Sequence, residues 1–172
     1  GREIYADELE PQGLKGIRCR IHVGGESLIV HIPMPGYHMV LNALAATAVG
    51  ISMGLTLAEV KRGVENLQSI GGRFHIIEKG GRLIIDDCYN ANPVSMKASL
   101  DVLKDAKHRK VAVLGDMFEL GENTEELHTE VGVHAAKNKI DLLICTGALS
   151  RHMAEAAVQA GGCGEVIYTE TM

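Results

Sequence analysis

The chain has 172 residues, of which 46% are hydrophobic and 23% charged, and its net charge is −5. This length suits one domain with a full core or somewhat more, and the acidic balance argues against a nucleic-acid-binding surface. The four cysteines form no CxxC pair, which favours reduced thiols in the cytoplasm over a disulfide framework or a zinc site.

Residues 1–34 have the pattern of antiparallel β structure. Segment 16–23 alternates apolar and polar side chains, Gly24-Gly25-Glu26 supplies a turn, and segment 27–32 returns. Pro33 and Pro35 end the β segment because proline cannot donate to a strand ladder.

Two helices are predicted next. Residues 37–53 are apolar on nearly all sides, which predicts a buried helix, and its polar interruptions make the apolar stretch a poor membrane span. Thr56 caps a second helix over 57–67, with Glu59 in its first turn. Gly71-Gly72 then breaks the chain.

After Arg73 short apolar strands alternate with helices, which is typical of a parallel, doubly wound sheet. The expected fold class is therefore α/β. A Rossmann-like domain with a mainly parallel sheet (72–172) follows an α+β segment (1–71). The predicted elements are a hairpin of 74–78 and 83–86 around Lys79-Gly80-Gly81, helices over 94–104, from near Asn123 and over 149–160, and strands over 111–114, 142–145 and 166–168.

Two of these elements carry specific expectations. Residues 111–114 (VAVL) are predicted to form a buried strand. The helix near Asn123 has Glu126 three residues on, a capping-box pattern, and an apolar stripe that comprises Leu127, Val131 and Ala135.

The stretch 83–96, LIIDDCYNANPVSM, is the most informative part of the sequence. It begins as a strand and ends in a helix start, with Asn92 at the N-cap and Pro93 at the first helical position. Between them lie the polar residues Asp86, Asp87, Tyr89 and Asn90. Open α/β sheets bind ligands at such strand ends. The alternative is a well-capped turn without a ligand.

Other polar residues lie at the ends of predicted elements. His38 and Asn42 are four apart and share one face of a helix, so the Asn42 amide needs a partner, either a loop or the edge of a base. Arg73 follows two glycines and suits a phosphate, or else forms a surface salt bridge. Asp87 is placed to accept ribose hydroxyls.

The segment Gly115-Asp116-Met117-Phe118-Glu119-Leu120-Gly121 is a loop at the same edge of the predicted sheet. Its acids either face a ligand or serve a helix macrodipole. His128, early in the next helix, is expected to pack or to pair with an acid. The sequence has no GxxxxGK[ST] or GxGxxG motif and no HxxxH pair, so we expect no metal site.

Several segments together resemble the Mur ligase family. Residues 36–50, GYHMVLNALAATAVG, are similar to the family pattern G-x-H-N-x-x-N-A-L-A-A, and GGRF to its G-R-x-E segment. DDCYNANPVSMKASL (86–100) with VLGDMFELGE (113–122) is similar to the members that add D-alanyl-D-alanine. The resemblance covers nearly the whole chain.

This resemblance implies a three-domain cytoplasmic ligase of peptidoglycan synthesis. ATP would phosphorylate the carboxylate of UDP-N-acetylmuramoyl-tripeptide, and the amine of D-alanyl-D-alanine would attack the acyl phosphate. The chain would be the end of the central ATPase domain (1–71) and most of the C-terminal domain (72–172). The phosphate loop and the Mg²⁺ ligands would lie elsewhere in the protein, which is expected to be a monomer without nucleic-acid or membrane partners.

The resemblance also implies roles for individual residues. His38 and Asn42 would belong to the adenine pocket, Asp87 would bind the ribose, and Arg73 would bind the ATP phosphates and act as the catalytic residue. The residues expected to face the dipeptide substrate are Tyr89, Asn90, Asn92 and Asp116.

Two alternatives remain open from the sequence. One is a sister ligase such as folylpolyglutamate synthase, and the other is a stand-alone, non-catalytic nucleotide- or protein-binding module. The chain begins with glycine and ends soon after a predicted strand, so we expect a piece of a longer protein.

Overall fold

The structure, a computed structural model, describes residues 3–171 and divides into two compact units. Unit one is Gly1–Ile70 and unit two is Gly71–Met172. Residues 1, 2 and 172, at the outer ends of the two predicted domains, lie outside the described residues.

Unit one begins with an antiparallel sheet, as predicted. Its strands, in sheet order, are β1 (Ile4–Pro11), β2 (Ile17–Val23) and β3 (Glu26–Ile32). The register pairs Ile17 with Ile32 and Val23 with Glu26, which closes a tight hairpin. Every second side chain of β2 is buried, so one face of the sheet forms the core of this unit.

Helices α1 (Tyr37–Ser52) and α2 (Leu57–Glu65) complete unit one. The predicted Thr56 cap of α2 is confirmed, and it forms a capping box: Thr56 N–H donates to Glu59 Oε2 at 2.8 Å, and Glu59 N–H donates to Thr56 Oγ1 at 3.3 Å. The prediction that α1 is buried on nearly all sides is wrong. Its buried positions repeat every three or four residues, and Val49 on the opposite side is 58% exposed.

Unit two opens with an antiparallel hairpin of β4 (His75–Lys79) and β5 (Arg82–Asp86). Gly80 and Gly81 form its two-residue turn with φ of 59° and 71°. A type I′ turn needs positive φ at both positions, which glycine adopts without strain. The predicted hairpin is confirmed, with strand bounds that differ by one residue.

The rest of unit two alternates helices and parallel strands, which confirms the predicted α/β class. The sheet order is β6-β7-β8, and its strands pair in parallel. Helices from this part of the chain pack against one face of the sheet to form a second core. The elements are α3 (Pro93–Lys104), β6 (Val111–Leu114), α4 (Thr124–Lys137), β7 (Leu142–Thr146), α5 (Ser150–Ala160) and β8 (Glu165–Thr169).

Two details of unit two differ from the sequence predictions. Strand β6 is not buried throughout, since Ala112 is 6% exposed but Val113 is 58% exposed. It is the first strand in the sheet order, and only one of its faces meets the helices. Helix α4 has no capping box; a 3₁₀ turn (Gly121–Asn123) precedes it, and the Thr124 hydroxyl donates to the Gly121 carbonyl at 2.7 Å.

Helices α4 and α5 pack closely at Gly132, which is buried within α4. A Cβ atom at this position would overlap the backbone carbonyl of Met153 on α5. The contact is with backbone, so neither helix can relieve it by a side-chain rotation.

We therefore predict that Gly132→Ala destabilises the chain by about 3 kcal/mol, the upper part of the range for overpacked cores. The matched control is Gly63→Ala in α2, where no atom lies within 4 Å of the added Cβ. There alanine should stabilise by about 0.5–1 kcal/mol because glycine weakens helix interiors. Urea unfolding followed by circular dichroism measures both, and equal midpoints for the two variants would contradict the packing argument.

Candidate functional site

The candidate site in unit two is built on three hydrogen bonds that backbone N–H groups donate between two segments. Gly72 N–H donates to Asp86 Oδ2 at 3.0 Å, Tyr89 N–H donates to the Gly72 carbonyl at 2.9 Å, and Phe74 N–H donates to Asp87 Oδ1 at 3.0 Å. The loop after β5 thus holds the segment before β4. The backbone on both sides of Arg73 is fixed by these contacts.

The residues flanking Arg73 have left-handed backbone conformations. Gly72 has φ +76°, and a Cβ there would lie 3.2 Å from the Cβ of Tyr89. Phe74 has φ +51°, which is uncommon for a residue with a side chain, and its ring is buried (6% exposed). The buried ring and the bond to Asp87 hold this conformation, and the Arg73 side chain between the two is exposed.

The Arg73 guanidinium stacks on the ring of Tyr89, with its carbon 4.1 Å from the ring centroid. Tyr89 is itself 69% exposed, so this cation–π contact is worth about 0.5–1 kcal/mol. Among residues 3–171, no acid lies within ion-pair distance of Arg73, so the surface salt bridge considered as its alternative role does not form. Its charge is available to an anion.

Asp87 is half-buried and uses both carboxylate oxygens. Oδ1 accepts the Phe74 N–H, and Oδ2 accepts the Ser99 hydroxyl of α3 at 2.5 Å. Each oxygen of an ionised carboxylate has a second lone pair, so a ribose hydroxyl can still be accepted. Asp87 therefore joins the loop after β5, helix α3 and the segment before β4.

The predicted cap of α3 is confirmed. Asn92 Oδ1 accepts the Ser95 N–H at 2.9 Å, and Asn92 N–H donates to the Ser95 hydroxyl at 3.2 Å, with Pro93 at the first helical position. Asn90 Oδ1 accepts the Ala91 N–H at 2.9 Å, and its side chain is exposed. The side-chain oxygens of both asparagines thus order the loop, and their amide groups remain as donors.

Asp116 lies on the loop that follows β6. Its Oδ1 accepts the N–H of Ser150, the first residue of α5, at 2.7 Å. Gly147 has φ +112°, a conformation that favours glycine, and a Cβ there would also overlap this carboxylate. This geometry matches the helix-macrodipole role that the sequence offered for an acid in this loop.

The two candidate residues of unit one lie on α1. Their i, i+4 spacing places His38 and Asn42 on one side of the helix, and the His38 ring lies against Gly36. Asn42 is exposed, and its Nδ2 donates to the Met39 sulfur at 3.6 Å. The argument that Asn42 must pair because it is buried is therefore wrong.

The structure brings Arg73, Asp87 and Tyr89 into one connected cluster, with Asn90 and Asn92 on the same loop. Phe74 and Ser99 also belong to this cluster, and sequence reasoning missed both. The signal for Ser99 is its spacing of four from Ser95, which places both hydroxyls on the side of α3 that begins at the capped loop. Nothing in the sequence marks the conformation of Phe74.

Two features of residues 3–171 concern metal ions and membranes. No group of three His, Cys, Asp or Glu side chains there is arranged to hold a metal ion. No helix in the same range is both long and apolar enough to cross a membrane.

Cys88 is the exposed cysteine of the same loop, and its Sγ–H donates to Asp86 Oδ1 at 3.0 Å. This hydrogen bond and the negative charge of Asp86 raise the pKa of the Cys88 thiol. The same bond, together with the N–H of Gly72, lowers the pKa of Asp86. At neutral pH a protonated thiol therefore sits beside an ionised carboxylate, which makes Cys88 a poor nucleophile.

Comparison with known proteins gives a family match and named relatives. Residues 72–172 match the family described as Mur ligase, glutamate ligase domain. The UDP-N-acetylmuramoyl-tripeptide–D-alanyl-D-alanine ligase of Escherichia coli (strain K12) is 41% identical over 140 residues, 81% of this chain and 30% of that protein. The enzyme of the same name from Bacillus subtilis (strain 168) is 38% identical over 131 residues, 74% of this chain and 29% of that protein.

Solved structures of ligases also resemble this chain. MurF from Acinetobacter baumannii superposes with a TM-score of 0.84 at 33% identity, over 95% of this chain and 35% of that one. MurF ligase from Thermotoga maritima, solved in complex with ADP, has a TM-score of 0.75 at 22% identity, over 96% of this chain and 42% of that one, and shows the shared fold. The chain thus spans about a third of the length of these relatives.

From the contact between Cys88 and Asp86 we predict that Asp86→Asn speeds alkylation of Cys88 several-fold at pH 7.5. Removing the charge lowers the thiol pKa and raises the thiolate fraction, while asparagine can still accept the Gly72 N–H. Iodoacetamide labelling followed by peptide mass spectrometry measures the rate. Asp105→Asn, which removes a negative charge at the end of α3, is the control and should leave the rate unchanged. Equal rates for the two variants would contradict the assigned contact.

Proposed function

Because the chain belongs to the Mur ligase family, we propose that it is part of an ATP-dependent ligase that adds D-alanyl-D-alanine to UDP-N-acetylmuramoyl-tripeptide. In this proposal residues 1–71 are the last part of the central ATP-binding domain, and residues 72–172 are most of the C-terminal domain. The protein acts in the cytoplasm as a monomer during peptidoglycan precursor synthesis. The names of its relatives support this substrate assignment.

The observation that carries the proposal is the fixed backbone around an exposed Arg73 that has no ion pair among residues 3–171. A guanidinium in such a place can bind phosphate oxygens bidentately and stabilise charge on a transferring phosphoryl group. In the proposal Arg73 is the catalytic residue, Asp87 accepts the ribose hydroxyls, and His38 with Asn42 contacts the adenine. The residues on the dipeptide side are Tyr89, Asn90, Asn92 and Asp116.

The reaction consists of two transfers. The terminal phosphoryl group of ATP moves to the tripeptide carboxylate, which leaves ADP and an acyl phosphate. The amine of D-alanyl-D-alanine then attacks the acyl carbon and loses a proton as phosphate departs with the bonding electrons. Arg73 lowers the barrier of the first transfer by pairing with the charge on the phosphoryl oxygens.

A metal ion does not fit the described residues, because they contain no cluster of three suitable ligands. The sequence also lacks a GxxxxGK[ST] phosphate loop. In this proposal the Mg²⁺ ligands and the phosphate cradle lie on the rest of the protein, and no step is assigned here to the metal.

The test of the nucleotide site uses the full-length ligase with the substitution Asp87→Ala. We expect the KM for ATP to rise about tenfold, since hydrogen bonds to a charged group are worth about 1.5–3 kcal/mol. The unaltered enzyme should discriminate against 2′-deoxy-ATP, whereas the Asp87→Ala variant should accept both nucleotides equally. Ser99→Ala is the control, because it removes an internal bond of Asp87 and leaves the carboxylate. An unchanged KM for ATP would remove Asp87 from the ribose site.

A second prediction concerns the 172-residue chain by itself. Without a phosphate loop it should bind Mg-ATP about 100-fold more weakly than the full-length ligase, a difference of about 2.7 kcal/mol. Isothermal titration calorimetry on both proteins makes the comparison. Equal affinities would show that the chain holds the complete nucleotide site, contrary to the proposal.

A further inference from the structure

His128 lies in the first turns of α4 and is fully buried (0% exposed). Both of its ring nitrogens meet backbone groups. Met117 N–H donates to Nε2 at 3.0 Å, and Nδ1 lies 2.7 Å from the carbonyl oxygen of Thr124. Of the two roles expected for His128, packing is confirmed by its burial and pairing with an acid is not, because its hydrogen-bond partners belong to the loop after β6 and to its own helix.

These two contacts determine where the ring carries its proton. The Met117 N–H can only donate, so Nε2 must be unprotonated. The Thr124 carbonyl can only accept, so Nδ1 must carry the hydrogen. His128 is thus a neutral imidazole with its proton on Nδ1. The opposite tautomer would leave the Met117 N–H without an acceptor beside a fully buried ring.

The loop that His128 contacts has conformationally permissive ends and a buried centre. Glycines stand at both ends, and Glu119 has φ +60°, a conformation that a residue with a side chain rarely adopts. Phe118 is 69% exposed, whereas Met117 is 0% exposed and belongs to the core of unit two. The hydrogen bond to His128 therefore anchors the backbone at Met117, between the inward-facing Asp116 and the outward-facing Phe118.

We propose that His128 is a positioning residue: its Nδ1–H tautomer locks the loop 115–121 at the carboxyl end of β6. The lock fixes the backbone on either side of Met117, and with it the direction of Asp116 and Phe118. The part of this inference that concerns the substrate rests on the proposed function, which assigns this loop to the D-alanyl-D-alanine side. The tautomer and the lock stand on the hydrogen bonds alone.

Two substitutions distinguish the hydrogen bond at Nδ1 from the hydrogen bond at Nε2. Asparagine places its amide near Nδ1 and glutamine places its amide near Nε2, so His128→Asn keeps the bond to Thr124, whereas His128→Gln offers Met117 an acceptor. Both remove part of a buried ring, so each controls for the loss of packing in the other. Amide exchange measured by NMR on the 172-residue chain should show the Met117 N–H exchanging at least about tenfold faster in the Asn variant than in the Gln variant.

The tautomer itself is measured on the unaltered chain, which keeps the proposal testable even if a variant does not fold. Long-range ¹H–¹⁵N spectra of the His128 ring should place the proton on Nδ1. A proton on Nε2, or equal Met117 exchange in the two variants, would overturn the lock.

Kinetics of the full-length ligase test the effect on the substrate. His128→Asn should raise the KM for D-alanyl-D-alanine about tenfold more than the KM for ATP, and His128→Gln should restore it. Equal changes in both KM values would overturn the positioning role. If the unaltered full-length protein has no ligase activity, the proposed function fails. The tautomer and exchange measurements still test whether His128 holds the loop 115–121.

Discussion

The candidate site depends on the carboxylate of Asp87. Its two oxygens bind the backbone N–H of Phe74 and the hydroxyl of Ser99, and so connect three separate segments of unit two. A hydrogen bond to a charged group contributes about 1.5–3 kcal/mol, and a left-handed residue with a side chain costs about 1–3 kcal/mol. These magnitudes are comparable, so the bond to Asp87 offsets the strain at Phe74 and stabilises the backbone that carries Arg73.

The same chemistry recurs at other strand ends of unit two. Asp86 accepts the N–H of Gly72, and Asp116 accepts the N–H of Ser150. In each case a carboxylate at or shortly after the end of a strand holds the backbone of another segment. Acids in these positions are usually expected to bind ligands. Here they accept hydrogen bonds from backbone N–H groups, and these contacts order the loops. The groups left facing solvent are the side chains between these anchors, above all Arg73, Tyr89 and Phe118.

Local patterns predicted most of the fold. The alternation in β2, the Thr56 helix cap and the Asn92-Pro93 helix start depend on residues close in sequence, and all three are confirmed. Burial depends on which elements pack together, which periodicity alone cannot give. For that reason the predicted burial of α1 and of β6 is wrong, although both elements exist where they were expected.

The candidate site was less predictable than the fold, for the same physical reason. The sequence indicated Arg73 and Asp87, because a guanidinium after glycines and an acid at a strand end have recognisable chemistry. It gave no sign that Asp87 supports Phe74, since that bond joins residues thirteen apart across a hairpin. Ser150 and His128 were missed as anchors because each contact uses a backbone N–H, that of Ser150 itself and that of Met117, and every residue except proline possesses this group.

The stack of Arg73 on Tyr89 is compatible with the role proposed for the arginine. An exposed cation–π contact contributes about 0.5–1 kcal/mol, whereas a charge-assisted hydrogen bond contributes about 1.5–3 kcal/mol, and a phosphate can accept two of these from one guanidinium. A phosphate group therefore outcompetes the ring for the arginine. Since the backbone of Arg73 is fixed on both sides, this exchange requires only side-chain rotation. The ring of Tyr89 is then released for the dipeptide contact that the proposal assigns to its loop.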